Sequence, residues 1–255
     1  MNKIFMNKVS LCIGSKKILT DISLTFPSGK VTGIVGPNGS GKTTILKIIS
    51  NILTSYSGEV FLGDRKFKKF NKIDLAKKIS YLPQEVNISW PISVYNTIMI
   101  GLIPYSNREK SIFEKKKFVN NIINELDLNK LSFNSINKLS TGERARVCLA
   151  RALVGCPDFL LADEPVSSLD PFYQLNILEF IKKRVLSGMG CIIVMHDLNL
   201  ARRYCDNIVI INDGKVISND KPDISLSNKN LHDIFAVKYD GKELVLSLSN
   251  EYAPS

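Results

Sequence analysis

The amino-acid sequence predicts an α/β fold, in which helices cover a mostly parallel sheet, antiparallel strands lie beside it and a helical segment is inserted. Short apolar runs rich in β-branched residues recur, helical patterns separate them, and one long stretch holds helical patterns only. The apolar runs are residues 31–35, 159–163, 191–196 and 207–213. The helical patterns between them are Thr43–Ser50, Glu143–Val154 and Tyr173–Leu186. Such alternation is typical of parallel sheets whose strands are buried on both faces.

The first predicted elements are antiparallel strands within Val9–Lys30. The segments "KKIL" and "TDISLTF" precede "PSGK", which has the composition of a turn. We expect these strands to lie beside the parallel sheet.

A glycine-rich loop, "GPNGSGKTT", follows the apolar run at 31–35 and has the spacing of a phosphate loop. Glycines let several backbone N–H groups point at one centre, and the helix that follows adds its positive end. The pattern predicts that Lys42 reaches the outer phosphates of a nucleoside triphosphate and that the Thr43 hydroxyl holds Mg²⁺. The structural alternative is a plain turn between strand and helix. The predicted phosphate-loop contacts are Gly36, Pro37, Asn38, Gly39, Ser40, Gly41, Lys42, Thr43 and Thr44.

The strand signal fades after about residue 86, and lysine-rich helical patterns such as "EKKKFVNNIINELDL" replace it. We therefore predict a helical subdomain over residues 86–154. Residues 1–85 and 155–220 are predicted to form the catalytic core with its antiparallel strands, and residues 221–255 a small C-terminal extension containing the helix-like "NLHDIFAV". The 255 residues suit a single domain with an inserted lobe.

Two adjacent carboxylates, Asp163 and Glu164, end the apolar run "FLLADE". Ligands of α/β sheets bind at the carboxyl ends of the strands. Asp163 is predicted to help hold Mg²⁺, directly or through water, and Glu164 to orient and deprotonate an attacking water. A solvated strand end is the structural alternative.

A helix start is predicted at Ser140, in "LSTGERARVCLARAL". Ser140 and Glu143 have the spacing of a capping box, so capping alone is the structural alternative. A helix start with a serine hydroxyl and Gly142 beside it can also bind an anion. That phosphate need not be the one on the chain's own phosphate loop.

Together with Gln84 in "SYLPQE", the motif "SSLD" and the histidine of "MHD", these segments resemble the ATP-binding subunit of ABC transporters over residues 7–215. The resemblance implies the ABC ATPase fold: a P-loop NTPase (RecA-like) core, an antiparallel β subdomain and an inserted α-helical subdomain. It implies ATP and Mg²⁺ as cofactors. It also implies a pair of subunits, most simply a homodimer, in which each ATP lies between the phosphate loop of one copy and the "LSTGE" helix of the other.

The resemblance assigns further roles. Gln84 would contact Mg²⁺ and the attacking water and link the core to the helical lobe. Ser140 and Gly142 would meet the γ-phosphate of the partner's nucleotide, and Asp170 in "SSLD" would communicate across the dimer. His196 would contact the γ-phosphate and hold the geometry around the general base, although a strand-end histidine alone is more often structural. The predicted catalytic residues are thus Glu164, His196, Gln84 and Lys42, and the predicted metal-binding residues are Thr43, Gln84 and Asp163.

Three positions depart from the family pattern. Ile13 stands where the family usually has an aromatic residue stacked on adenine, so we expect looser nucleotide binding and weaker preference for adenine. Thr141 replaces a common glycine and narrows the approach to the partner's phosphate. Ala162 replaces a bulkier aliphatic residue, which predicts only a packing adjustment. The residues assigned to chemistry are all present, so we expect an active ATPase.

Several segments are similar to the ATPases of importers for iron–siderophore, haem and cobalamin: "HDLNLARRYCD", "WPISVYNTIMIGLIPY", "ERARVCLARAL" and the tail "LSNKNLHDIFAVKY". Neighbouring metal-chelate importers share the pattern, so the cargo stays open. The resemblance implies integral-membrane permease subunits, an external substrate-binding protein and a peripheral location on the cytoplasmic side of the inner membrane. The apolar stretch from Trp90 to Tyr105 is the predicted docking site, with ordinary core as its alternative.

Other functions remain as alternatives. The net charge of +10 is compatible with a soluble ABC ATPase in DNA repair, translation or cofactor assembly. Neither a long coiled-coil insertion nor a second tandem cassette is visible, so nucleic acid is an unlikely partner. An importer ATPase for free metal ions is a further alternative. A regulatory module without turnover conflicts with the presence of Glu164 and His196.

Composition narrows the setting. The five cysteines lack a C-x-x-C pair, which indicates neither a disulfide framework nor a zinc site and fits a reducing cytosol. The N-terminal segment has no apolar core long enough for a signal peptide, and the longest apolar region is about half a membrane span.

Overall fold

The computed structural model describes residues 2–84, 91–106, 109–240 and 244–247. The strands within these residues are β1 Lys3–Ile13, β2 Lys16–Pro27, β3 Val31–Val35, β4 Ser57–Leu62, β5 Arg65–Lys66, β6 Ile79–Leu82, β7 Phe159–Asp163, β8 Gly190–Val194, β9 Asn207–Asn212, β10 Lys215–Asp220, β11 Val237–Tyr239 and β12 Leu244–Leu246. The helices are α1 Lys42–Ile49, α2 Lys72–Lys78, α3 Val94–Ile100, α4 Ile112–Glu125, α5 Thr141–Leu153, α6 Pro171–Leu186, α7 Leu198–Tyr204, α8 Pro222–Ser225 and α9 Asn228–Phe235.

The central sheet has six strands in the order β10-β9-β3-β8-β7-β6. Its pairings are parallel except that of β10, which runs antiparallel to β9. The phosphate loop follows β3, near the middle of this sheet. The carboxyl ends of β3, β6, β7 and β8 meet at one edge, and the predicted catalytic residues follow these strands.

A second, antiparallel sheet has the order β2-β1-β4-β5. The predicted stretch Val9–Lys30 missed the first half of β1, which begins at Lys3. The cause is a phase shift: Ile4 and Met6 are buried, Lys8 has a φ of 48°, and burial then resumes at Val9. The pairing of β1 with β2 is irregular at this point, so the buried positions change from even-numbered to odd-numbered residues. The alternation of apolar and polar residues is therefore interrupted.

The other predicted strands agree closely with the structure. The runs at 31–35 and 159–163 are β3 and β7. The run at 191–196 was predicted too long, because β8 ends at Val194 and His196 lies in the turn beyond it. The helices α1 and α6 begin one or two residues before their predicted starts. Helix α5 begins directly after Ser140, as the capping box predicted, although its helical pattern was recognised only from Glu143. Strands β4 and β6, with no strong alternation of their own, were not predicted.

Two hydrophobic cores lie on opposite faces of the central sheet, and its strands supply both. Along β7, Leu160 and Ala162 belong to the core shared with α3–α7. Phe159 and Leu161 face the core beneath the antiparallel sheet, which also holds the apolar side of α1. Alternation of side chains along a strand produces this division.

Helical structure dominates the described residues between β6 and β7. Helix α3 packs against α4 and α5, and all three bury apolar residues in one core. The division of the chain at residues 85/86 falls outside the described residues, as does Trp90, and the subdomain limits stay a prediction. Among the helices of the described ranges, none has the length and apolar character needed to span a bilayer.

The described residues after β10 pack on the core. The helix-like "NLHDIFAV" corresponds to α9, which ends at Ala236 in a left-handed conformation. The β11–β12 hairpin follows, and the Tyr239 hydroxyl donates a hydrogen bond to the Asn199 side chain in α7. Residues 241–243 and 248–255 lie outside the described part of the chain.

Candidate active site

The phosphate loop joins β3 to α1. Gly36 has a φ of 152° and Gly41, the residue that precedes α1, a φ of 106°. A Cβ atom at Gly36 would lie 2.0 Å from the carbonyl oxygen of Ile211 in β9. Glycine is therefore required at both positions, because one needs close approach to a strand and the other a left-handed backbone.

Lys42, the first residue of α1, is folded along its own loop. Its Nζ donates hydrogen bonds to the carbonyl oxygens of Gly36 at 2.8 Å and Pro37 at 2.9 Å. The residue is 6% exposed. Burial lowers the pKa of Lys42, and the negative charges of Glu164 and Asp163 oppose that shift. The ammonium group thus lies between the loop and the two carboxylates at the end of β7.

Asp163, the last residue of β7, is 2% exposed and accepts two hydrogen bonds. The Thr43 hydroxyl donates to Oδ1 at 3.1 Å, and the Tyr81 hydroxyl donates to Oδ2 at 3.1 Å. Burial raises the pKa of Asp163, and these two hydrogen bonds partly offset the shift. Tyr81 was not among the predicted site residues. Its position in an apolar segment before Gln84 was the only signal.

Glu164 lies between two other predicted catalytic residues. The Gln84 Nε2 donates to its Oε2 at 2.7 Å, and the His196 Nε2 lies 2.5 Å from its Oε1. The side chain of Glu164 is 11% exposed, whereas that of His196 is 43% exposed. Glu164 has a φ of 49°, which is unusual for a residue with a side chain. The turn after β7 therefore holds this carboxylate at one defined place between Gln84 and His196.

The helix start at Ser140 contains the predicted capping box. The Ser140 hydroxyl accepts from the Glu143 backbone N–H at 3.3 Å, and the Ser140 backbone N–H donates to Glu143 Oε2 at 2.9 Å. The hydrogen bond from the Ser140 backbone holds the pKa of Glu143 below its usual range. Gly142 is buried against Tyr173 of α6, where an added Cβ would lie 3.0 Å from the ring. This contact between Gly142 and Tyr173 was not predicted from the sequence.

Asp170 precedes α6 and accepts a hydrogen bond from the Tyr173 backbone N–H at 3.2 Å. The chain between Glu164 and Asp170 is held by Gln174, whose Nε2 donates to the carbonyl oxygens of Val166 and Leu169 at 3.2 and 3.0 Å. The "SSLD" motif is therefore fixed to the first turns of α6. Since Tyr173 also packs on Gly142, α6 connects this motif with the start of α5.

The structure gathers the predicted residues into two groups. The first group consists of the phosphate loop with Lys42 and Thr43, together with Asp163, Glu164, Gln84 and His196. The other group, Ser140 and Gly142, has no hydrogen bond to the phosphate loop among the described residues. Thr141, between them, lines a cavity of about 100 Å³ together with Gln84 and Glu164. Ile13 is 60% exposed at the end of β1 and makes no described contact with the first group.

The residues of the first group suit a nucleotide with Mg²⁺. The Ser40 hydroxyl in the phosphate loop is buried and has no hydrogen-bond partner among the described residues. Thr43, Asp163 and Gln84 supply the oxygen donors that Mg²⁺ prefers. No cluster of three or more His, Cys, Asp or Glu side chains that could hold a metal occurs in the described ranges. Mg²⁺ at phosphates needs no such cluster, because it takes one or two carboxylates together with phosphate oxygens.

Comparison with known proteins decides the family. The sequence profile of the ABC transporter family matches residues 19–167, which is more than half of the chain. The chain belongs to the ABC transporter family. Within it, the chain is an ATP-binding domain, and its enzymatic activity is ATP hydrolysis coupled to transport. The family assignment confirms the resemblance on which the site residues were predicted.

Individual relatives agree with this assignment. The hemin import ATP-binding protein HmuV of Shewanella denitrificans is 35% identical over 236 residues, which cover 90% of this chain and 92% of that protein. The protein of the same name from Rhizobium meliloti is 35% identical over 238 residues, 90% of each chain. A dimeric ATP-binding cassette, solved in a post-hydrolysis state bound to ADP and Pi, superposes with a TM-score of 0.76 at 28% identity, covering 86% of this chain and 98% of that one. The ABC ATPase fold predicted from the sequence is confirmed.

Proposed function

We propose that this ABC transporter subunit hydrolyses ATP to power the import of haem or a closely related metal chelate. The cargo class is supported by the relatives named for hemin import, which match about nine tenths of the chain. The observation that carries hydrolysis is the placement of Glu164 between Gln84 and His196, beside Asp163 and the phosphate loop.

In this proposal Glu164 is the general base. One carboxylate oxygen accepts a proton from the attacking water, which Gln84 orients. The water oxygen bonds to the γ-phosphorus while the bond from that phosphorus to the β–γ bridging oxygen breaks, so that ADP leaves and phosphate forms. His196 fixes the second oxygen and contacts the γ-phosphate. Lys42 leaves the carbonyl oxygens of its loop and donates to the phosphate oxygens, where its charge compensates the charge that develops during transfer.

Mg²⁺ is held in this proposal by the Thr43 hydroxyl and Gln84, with Asp163 binding directly or through water. When bound, Mg²⁺ would neutralise part of the charge of the phosphate oxygens. Asp163 suits this role because its burial makes an isolated negative charge unfavourable, which a nearby cation relieves. The backbone N–H groups of the phosphate loop and the Ser40 hydroxyl bind the triphosphate itself.

We infer that two copies complete each site. Ser140 and Gly142 have no described hydrogen bond to the phosphate loop of their own chain, and the start of α5 can meet an anion from elsewhere. In the pair, these residues approach the γ-phosphate of the nucleotide on the partner. Asp170 couples the two nucleotide sites across the dimer. The dimeric post-hydrolysis cassette supports this arrangement. The joint of α5 and α6 at Gly142 and Tyr173 lets both motifs move as one unit.

We infer that a permease docks on the stretch that includes α3 and the turn after it. In the described part, residues 91–105, one set of apolar residues is buried core: Val94, Ile98 and Leu102. Ile100 and Ile103 are 41% and 73% exposed. They offer an apolar contact for a membrane subunit. We place the chain on the cytoplasmic side of the inner membrane, with an external substrate-binding protein delivering the cargo.

Substitution Glu164→Gln tests the hydrolytic site. Glutamine keeps the shape but cannot accept the proton, so we expect turnover to fall by about a hundredfold or more while ATP-dependent pairing of subunits persists. Phosphate release measures turnover, and gel filtration with ATP measures pairing. Glu125→Gln, a change to an exposed carboxylate in α4, is the control and should leave both unchanged. Full turnover in Glu164→Gln would remove this residue from the base role.

Uptake by the native cell tests the cargo. Deletion of the gene should abolish transport of labelled haem or of one related metal chelate. The native chain should restore transport, but Glu164→Gln should not. If transport of every chelate is unchanged and uptake of a free metal ion is lost, the cargo proposal is wrong and ATP hydrolysis still stands. If no transport changes and the protein does not fractionate with membranes, a soluble role replaces import.

A further inference from the structure

The first two turns of α4 expose large apolar side chains beside lysines. Ile112 and Phe113 are 62% and 78% exposed. Lys116 and Lys117, also exposed, follow each of them by four residues and therefore lie on the same side of the helix. Val119, Ile122 and Ile123, which follow further along α4, are buried in the core. The N-terminal part of α4 thus exposes a mixed apolar and basic surface, whereas its later turns are packed in the core.

Carboxylates near this side of α4 are engaged elsewhere. Glu114 closes the capping box at Ser111, where its Oε2 accepts from the backbone N–H at 2.7 Å. Glu109 forms an ion pair with Lys77 of α2. In the described ranges, Lys116 and Lys117 have no ion pair. Their charges are therefore available to an external anionic partner.

Helix α2 lies beside the segment that leads into α4. Its Lys77 joins the two regions, because it pairs with Glu109 and lies 5.8 Å from the centre of the Tyr105 ring. Ile73, four residues before Lys77 and so on the same side of α2, is 58% exposed. Lys72 beside it is exposed and, within the described part of the chain, has no ion pair. The lysine–apolar surface is defined here as Lys72, Ile73, Ile112, Phe113, Lys116 and Lys117.

We propose that the lysine–apolar surface binds the surface of an anionic lipid bilayer. Basic side chains interleaved with phenylalanine and isoleucine fit such a surface, because the lysines meet anionic headgroups while the apolar side chains enter the boundary with the acyl chains. The location of the surface also favours a bilayer. Lys77 lies next to Tyr105, and Tyr105 belongs to the stretch proposed to contact the permease, so the surface would lie near the membrane. This contact goes beyond the proposed function because it needs neither a permease nor ATP.

Binding to vesicles without permease tests the proposal. The full chain should sediment with vesicles of phosphatidylglycerol and phosphatidylcholine at low salt, and not with phosphatidylcholine alone. Raising the salt to about 0.5 M should release it, because salt screens surface charge. Each lysine near an anionic membrane contributes roughly fivefold to partitioning, so Lys116→Gln with Lys117→Gln should weaken binding by about 25-fold.

Matched variants keep the result interpretable. Lys183→Gln with Lys229→Gln removes two exposed lysines from α6 and α9, and Leu186→Ser removes an apolar side chain that is 80% exposed. Both should bind vesicles like the native chain, whereas Phe113→Ser should bind several-fold more weakly. Unchanged ATP turnover and thermal midpoint in all variants would show that folding is intact.

Three outcomes would overturn the proposal. The first is no binding to anionic vesicles. The second is equal weakening by the lysine pair in α4 and by the control pair, which would indicate net charge alone. The third is loss of duplex RNA or DNA binding in the α4 variants without any vesicle binding, which would assign the surface to nucleic acid. None of these outcomes bears on ATP hydrolysis or on the cargo.

Discussion

Ile13 occupies the position at which the family resemblance implies an aromatic residue. It is 60% exposed at the end of β1, so an aromatic ring at this place has room to lie against a bound base. Ile13→Tyr should tighten ATP binding by up to about tenfold, since aromatic stacking adds about 0.5–1.5 kcal/mol beyond burial. Calorimetric titration with ATP and GTP measures the effect, with Ile13→Leu as the control. An unchanged dissociation constant for ATP would contradict the assignment of Ile13 to the adenine site.

Tyr81 is a supporting residue that only the structure reveals. Tyr81→Phe removes one of the two hydrogen bonds to buried Asp163 and leaves Oδ2 without its donor. Such a loss should lower the free energy of unfolding by about 1–3 kcal/mol. It should also weaken the binding of Mg²⁺, so that turnover needs a higher Mg²⁺ concentration. Urea denaturation and a Mg²⁺ titration measure these effects. Tyr56→Phe is the control, because Tyr56 is half-buried and its hydroxyl has no hydrogen bond among the described residues; equal effects in both variants would refute the special role of Tyr81.

Two helices begin with the same type of capping box. A comparison of the two therefore distinguishes the capping role of Ser140 from its proposed role in nucleotide binding. Ser140 with Glu143 begins α5, and Ser111 with Glu114 begins α4. Ser140→Ala and Ser111→Ala should each lower the free energy of unfolding by about 1 kcal/mol. Only Ser140→Ala should also reduce ATP-dependent pairing, measured by gel filtration. Equal pairing in both variants would leave Ser140 with capping alone.

The same boxes predict a pH dependence. Hydrogen bonds from the serines hold the pKa of Glu143 and of Glu114 below the usual value in the folded chain. Each carboxylate therefore contributes stability above its unfolded pKa, and this contribution is lost as pH falls through the lower folded pKa. The stability difference between the native chain and Glu143→Gln or Glu114→Gln should shrink in that acidic range, as followed by urea denaturation at a series of pH values. A difference that stays constant to pH 2 would contradict this account.

Local patterns explain how well individual elements could be predicted. The start of α5 was predicted correctly because capping depends on residues three apart in the chain. The first half of β1 was missed because the bulge at Lys8 shifts the alternation, and β6 was missed because its four residues carry little pattern. Tyr81 and Tyr173 were missed for another reason: each acts on a residue distant in sequence, Asp163 and Gly142.

The overall architecture followed from the order of motifs more than from composition. The motifs mark the ends of β3, β7 and β8, and parallel strands bring those ends to one edge. The two cores could not be assigned in advance, since both draw on the same strands in alternation. Nor could the sequence say which groups meet within one chain. The structure links Glu164 with Gln84 and His196, whereas Ser140 makes no described hydrogen bond to the phosphate loop beside them.

The left-handed backbone at Glu164 limits what evolution or engineering can place there. Glycine and asparagine adopt this conformation more readily, but glycine has no side chain and asparagine is one methylene shorter and not a base. Among variants at position 164, selection for folding alone should enrich glycine and asparagine. Selection for ATP turnover should enrich glutamate. At this turn, the residues that fit the backbone conformation best are therefore not the residues that can act as the general base.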